Sequence, residues 1–169
     1  GLVVSHTIEQ VKNEFDLVII DSPPVLGVLL INALAACDRL IIPVQTEHLA
    51  LKGLERMVHT LRMLDHSQKR SLEYVIVPTM FDQRTQASVL ALKTIRHRHG
   101  RNTWTSKIPI DTRLRDASRA GVPPHLYTPN SQGVMAYRGL YRHLLQDSAH
   151  KNVPHNGQKN QRAYTGVKV

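Results

Sequence analysis

Phe15-Asp16-Leu17-Val18-Ile19-Ile20-Asp21-Ser22-Pro23-Pro24, residues 15–24, is an apolar run with no helical period that ends in a carboxylate and two prolines. Such a run fits a strand buried on both faces, as the strands of parallel sheets are. The prolines end the strand and force a loop, because neither can give an N–H to a ladder. Ligands of open parallel sheets gather beyond the carboxyl ends of the strands, so Asp21 stands where a phosphate-bound Mg²⁺ would sit. A hard carboxylate oxygen suits that metal or its waters. The alternative is that Asp21 only caps the following helix, since Asp is a common N-cap residue.

Working outward, Leu40-Ile41-Ile42-Pro43-Val44 and Tyr74-Val75-Ile76-Val77 read as further buried strands, and Trp104 to Ile108 as a shorter one. Between them, helical spacing appears in Val25 to Cys37, in Leu51 through Leu64, in Val89, Leu92 and Ile95, and in Met135 through Leu145. A further helix is expected within residues 1–14, with Ile8 and Val11 on its buried side. Strands alternating with helices imply crossover units, hence an α/β fold of three layers with a mostly parallel sheet flanked by helices. From Ser148 the sequence loses periodicity and fills with Asn, Gln, Lys, Gly and His, so residues 1–147 are read as one domain and residues 148–169 as a disordered basic tail.

The chain has 169 residues, 22 Lys and Arg against 13 Asp and Glu, and a formal charge of +9. That excess makes polyanions plausible partners, and the body is basic on its own account, because only Lys151, Lys159, Arg162 and Lys168 lie in the tail. Its longest apolar stretch, Pro23 to Cys37, falls short of the roughly 20 residues that cross a bilayer. Residues 1–15 lack the features of a signal peptide, and Cys37 is the single cysteine, which fits a reducing cytoplasm and excludes an internal disulfide. The 10 histidines are scattered without the paired spacing of zinc ligands. Gln45 and Glu47, after the second strand, read equally as loop chemistry or as neighbours of a ligand.

The stretch FDLVIIDSPPVLGVLLINALAACDRLIIPVQTEHLALKGLERM resembles the Walker B region and following strand of the ParA/MinD/Soj family of deviant P-loop ATPases. VPTMFDQRTQAS, KIPIDTRLRDASRAG and TPNSQGVMAYRGLYRHLL follow in the family's order, so the resemblance spans about residues 10–146. The wording DSPP, PVQTEHLALKGLERM and RTQAS is most similar to the ParC-like members associated with polar chemotaxis clusters. The resemblance implies a P-loop NTPase-like fold with ATP and Mg²⁺ as cofactors. It makes Asp21 the Walker B aspartate, catalytic and acting on Mg²⁺ through water. It places Thr79, Met80, Pro109, Ile110 and Asp111 beside the nucleotide base, and Arg84 and Arg113 against DNA. Lys93, Arg96, Arg98, Arg101, Arg115 and Arg119 would enlarge that basic surface, although Arg96-His97-Arg98-His99 reads equally as a solvated helix face. It further implies an ATP-dependent homodimer, nonspecific DNA binding, a cognate chemotaxis-array or ParB-like partner, and a polar or nucleoid-associated location.

The sequence departs from the family in two respects: the phosphate-binding loop is missing, and so is the early strand that bears a further catalytic aspartate. Neither G-x-x-x-x-G-K-[ST] nor the family's K-G-G-x-x-G-K-[ST] occurs, and that loop supplies the backbone donors and the lysine that hold the phosphates. The chain therefore reads as the carboxyl-terminal portion of such an ATPase, truncated at the amino terminus. Alone, it is expected neither to bind ATP tightly nor to hydrolyse it, and to expose an apolar sheet edge. The competing reading is a non-enzymatic partner-binding module. A cobyrinic acid diamide synthase-like or iron-protein-like relative is disfavoured, because no room remains for a glutaminase domain and only Cys37 for a cluster. A membrane-anchoring tail is disfavoured too, because Lys151 to Val169 carry no apolar stripe.

Overall fold

The computed structural model describes residues 3–22, 27–68 and 71–151. In chain order the elements are α1 (Val3–Val11), α2 (Val28–Ala36), β1 (Arg39–Gln45), α3 (His48–Gln68), β2 (Glu73–Thr79), α4 (Gln86–His99), a 3₁₀ turn (Gly100–Asn102), α5 (Thr112–Arg119), α6 (Pro124–Tyr127) and α7 (Gln132–Lys151). β1 and β2 pair in parallel from Arg39 opposite Glu73 to Gln45 opposite Thr79. Helices lie on both faces, so the fold is α/β with a parallel sheet, as expected.

Two apolar clusters mark the layers. On one face Ile42 and Val44 of β1 and Ile76 of β2 pack with Leu30 and Leu34 of α2, Leu54, Val58 and Leu61 of α3, and Ile95 of α4. Leu54, Val58 and Leu61 lie one and two turns apart on a single stripe of α3, which is why that helix forms and why it docks there. On the other face Val77 meets Trp104, Ile108 and Leu140 of α7. Ile76 and Ile95 are fully buried, each burial contributing about 2 kcal/mol. No helix among the described residues is long and apolar enough to cross a membrane.

Three expectations change. Residues 17–20 join no ladder among the described residues, and Leu17, Val18 and Ile19 are exposed. An apolar run is a strand only when a neighbour bonds its backbone, and among the described residues none reaches it. β1 is buried on one face only, with Ile41 exposed, because α7 covers β2 but not the matching face of β1. The region from Trp104 to Ile108 is not a regular strand. It touches β2 and its extension through two isolated parallel bridges, Thr103 with Ile76 and Phe81 with Pro109. Pro109 has no N–H, so the bonds fall to its flanks: Ile108 N–H to the Pro78 carbonyl at 2.8 Å and Ile110 N–H to the Phe81 carbonyl at 3.0 Å.

α7 runs through Ser148 to Lys151, past the expected start of the tail. The tail from residue 152, and Pro23 and Pro24, lie outside the described residues.

Helix ends follow the local chemistry. Thr85 caps α4 by accepting the Ser88 N–H at 3.4 Å, and Arg96, His97, Arg98 and His99 fill its last turn, where cations suit the helix dipole. α5 ends in a Schellman motif: Gly121 takes φ +66, its N–H reaches the Ser118 carbonyl, and Val122 N–H reaches that of Ala117.

Candidate functional site

The carboxyl ends of β1, β2 and the bridged segment converge on one rim of the sheet. Thr46, the residue after β1, is buried there, with its N–H on the Thr79 carbonyl at 3.0 Å. Its hydroxyl lies 2.6 Å from the buried Ser88 hydroxyl and 3.4 Å from the carbonyls of both Thr79 and Met80. Ser88 Oγ in turn accepts the Asp82 N–H at 3.0 Å. Two small hydroxyls thus tie β1, the end of β2 and the start of α4 together.

That tie holds an unusual backbone. Met80 takes φ 52, the only positive φ outside glycine among the described residues, and it is half exposed. A left-handed conformation at a long side chain costs about 1 kcal/mol, and such strain concentrates at ligand-binding positions. Phe81 N–H then donates to the Ile108 carbonyl at 3.0 Å, which fastens the loop after β2 to the loop carrying Pro109, Ile110 and Asp111. All five residues expected beside a nucleotide base therefore share one rim: Thr79 half-buried, Met80 and Ile110 exposed, Pro109 at the bridge, and Asp111 beneath.

Asp111 is the most connected group on the rim. Its Oδ1 accepts the Arg113 N–H at 3.1 Å and the Arg113 Nε–H at 3.0 Å, so it caps α5. Its Oδ2 accepts the Gly133 N–H at 2.9 Å, in the first turn of α7, while Ser131 Oγ accepts Val134 N–H at 3.2 Å. The carboxylate thus faces the positive ends of two helices at once. Gly133 is needed for this approach, because a Cβ there would lie 2.8 Å from Leu114 Cδ1 and 3.1 Å from Asp111 Cβ. Burial pushes the Asp111 carboxyl up, but the bonds from Gly133, Arg113 and Ser131 outweigh it and hold it at about 2.

Arg84 repeats the arrangement. Its N–H and Nε–H both reach Asp82 Oδ1, and its Nη2 reaches Oδ2 at 2.8 Å. The Arg84 side chain stays 80% exposed and that of Arg113 51% exposed, so both guanidiniums face solvent. Two of the outlying cations are held. Arg98 is paired with Glu55 and Arg96 donates to the Thr105 carbonyl at 2.7 Å, so part of the α4 set serves to fasten that helix. Burial, then the charge of Arg62, pushes His99 below its ordinary value.

Asp21 is exposed at the end of the unpaired segment, in no ladder with the rim. Among the described residues no three His, Cys, Asp or Glu side chains converge on a metal-sized site. The described residues of the rim do not by themselves make a triphosphate and magnesium cradle.

Sequence reading did not single out Asp82, Thr46, Ser88, Ser131 or Gly133. Asp82 carried a visible signal, an Asp two residues before an Arg at a helix start. Gly133 carried none, because its partner lies 22 residues away.

Residues 2–74 match the AAA domain family. The chain is 34% identical to the sporulation initiation inhibitor protein Soj of Bacillus subtilis over 142 residues, 83% of this chain and 56% of that protein. It is 34% identical to the chromosome partitioning protein ParA of Myxococcus xanthus over 82% of this chain and 50% of that one. The chain thus spans about half the length of the curated relatives it matches. Among solved structures, cobyrinic acid a,c-diamide synthase from Mycobacterium smegmatis with bound ADP and magnesium superposes with a TM-score of 0.69 at 28% identity, over 88% of this chain and 54% of that one. An ATP complex of McdA from Cyanothece gives a TM-score of 0.71 over 85% of this chain and 56% of that one, and its 19% identity speaks for the fold alone.

Proposed function

We propose that the chain is a portion of a ParA/Soj-like P-loop ATPase, and that the whole protein is an ATP-switched positioning factor. The observation that carries this reading is the likeness to Soj and ParA across most of the chain. It is supported by the rim, where Thr79, Met80, Pro109, Ile110 and Asp111 stand together at the strand ends as a nucleotide site requires. In this reading the base lies against Met80 and Pro109, and Asp21 is the Walker B carboxylate that acts on Mg²⁺ through water. The magnesium and the absent phosphate loop would supply the charge stabilisation for phosphoryl transfer.

ATP then favours a homodimer, and Arg84 and Arg113 hold DNA without reading its sequence. A ParB-like protein stimulates release, and the protein is nucleoid-associated. A second cargo, a polar chemotaxis array, is favoured by the wording DSPP, PVQTEHLALKGLERM and RTQAS.

The test is Asp21→Ala in the whole protein. ATP turnover is expected to fall at least about 100-fold, the scale of losing a main electrostatic contact to the reacting phosphate, while a calorimetric titration still registers nucleotide binding. Turnover equal to the parent's would remove Asp21 from the site, and a parent that does not turn over ATP would overturn the ATPase reading.

A further inference from the structure

Two turns of identical construction stand next to each other on the rim. Asp82 accepts both the backbone N–H and the Nε–H of the arginine two residues on, and Asp111 does the same for its own. The two aspartates directly follow Phe81 and Ile110, whose backbones are joined by the Ile110 N–H to Phe81 carbonyl bond at 3.0 Å. The turns therefore start from adjacent points, separated by about one inter-strand spacing, roughly 5 Å. In each, the acid is behind and the base in front: the carboxylate side chains are 15% and 3% exposed, their arginines 80% and 51%. Lys107 adds a third cation at this place, its Nζ 4.9 Å from the centre of the Phe81 ring.

We infer that Asp82 and Asp111 are positioning residues that hold Arg84 and Arg113 as a preset pair of guanidinium forks for the phosphates of a nucleic-acid duplex. The inference rests on the reading of these arginines as DNA contacts, and it adds what the carboxylates do. A free arginine must give up rotamer freedom when it meets a phosphate, and that loss weakens binding. Here Nε and one edge of the Arg84 fork are already fixed by Asp82, so its outer N–H groups point to solvent from a set place. Asp82 is itself immobilised, because its N–H is held by Ser88 Oγ, inside the buried tie to Thr46. The bond from the Arg84 side chain also keeps the Asp82 carboxyl charged down to about pH 2.

This arrangement and plain charge arithmetic predict opposite signs. If Asp82 merely repels phosphate, removing it strengthens DNA binding. If it positions Arg84, removing it weakens binding although the net charge becomes more positive.

The experiment measures the affinity of the whole protein, with ATP and Mg²⁺, for a mixed-sequence DNA duplex across a salt series. Asp82→Ala is expected to weaken binding about three- to tenfold and to flatten the salt slope by roughly one ion. Asp82→Asn, which keeps one acceptor for the Arg84 N–H groups, recovers part of the loss. Should Asp82→Ala not fold by circular dichroism, Arg84→Lys takes its place, because it keeps the charge and cannot fork, and the same fall is expected. Binding by these variants as tight as the parent's, or tighter, overturns the positioning role. The Arg84→Ala, Arg113→Ala double variant separates the two claims: if it binds DNA like the parent, or if the parent does not bind, the underlying DNA reading fails as well.

Discussion

Asp111→Ala is expected to lower the unfolding free energy by about 2–4 kcal/mol, read as a shift of the urea midpoint at constant slope. One side chain caps α5 and also receives the Gly133 N–H of α7, so its loss strips a cap from one helix and leaves a donor of the other without its partner. A typical N-cap loss is worth about 1 kcal/mol. A stranded, largely buried N–H adds about 1–3 kcal/mol. The acid limb of stability should change with it. The folded carboxyl sits at about 2, below the ordinary aspartate value near 3.9. Its contribution is therefore complete above that ordinary value and is lost as the pH falls towards 2. Asp111→Ala should show a shallower loss of stability over this range, and an acid limb as steep as the parent's would show that the carboxylate does not carry the linkage.

Trp104→Ala should cost about 3–5 kcal/mol, close to the whole stability of a small domain, and leave the chain largely unfolded at room temperature. Trp104 is 4% exposed and sits between Val77, Ile108 and Leu140, with its backbone N–H on the Ile76 carbonyl at 2.9 Å. Its ring lies against the Gly139 backbone, where an added Cβ would lie 3.7 Å from Cζ2. It is thus the piece that joins the bridged segment to β2 and lets α7 lie down. Trp104→Phe keeps a ring and should cost about 1–2 kcal/mol by the smaller cavity it leaves. A Trp104→Ala chain that unfolds with the parent's midpoint would show that the second cluster is dispensable.

The fold was legible where a segment's own spacing decides its burial. β1, β2, α3 and α4 come from runs and stripes that work over a few residues, such as Leu54, Val58 and Leu61. The run at Leu17 to Ile20 has the same look, yet pairing depends on a neighbour that its own residues do not reveal. The open face at Ile41 escaped for a related reason, since apolarity states what a residue prefers and not whether a helix is there to cover it. At the rim, the positions from Thr79 to Asp111 were legible through motif order. Their fastening was not, because the Thr46–Ser88 and Asp111–Gly133 contacts join residues 42 and 22 apart with no local pattern. The Asp-x-Arg turns fall between, visible in the local sequence once their geometry is known.

The one-sided pairing of β1 sets a gradient of water access through the sheet. Among the described residues β2 is bonded to β1 on one side and to the 103–109 segment on the other, whereas β1 has the single neighbour. The outward amides of β1 should accordingly trade their hydrogens for deuterium by small local openings, while those at Ile76 and Val77 wait for the whole domain to come apart. In that sense the molecule has a soft shore and a hard interior, and a mass-resolved exchange time course would draw the line between the amides of β1 and those of Ile76 and Val77.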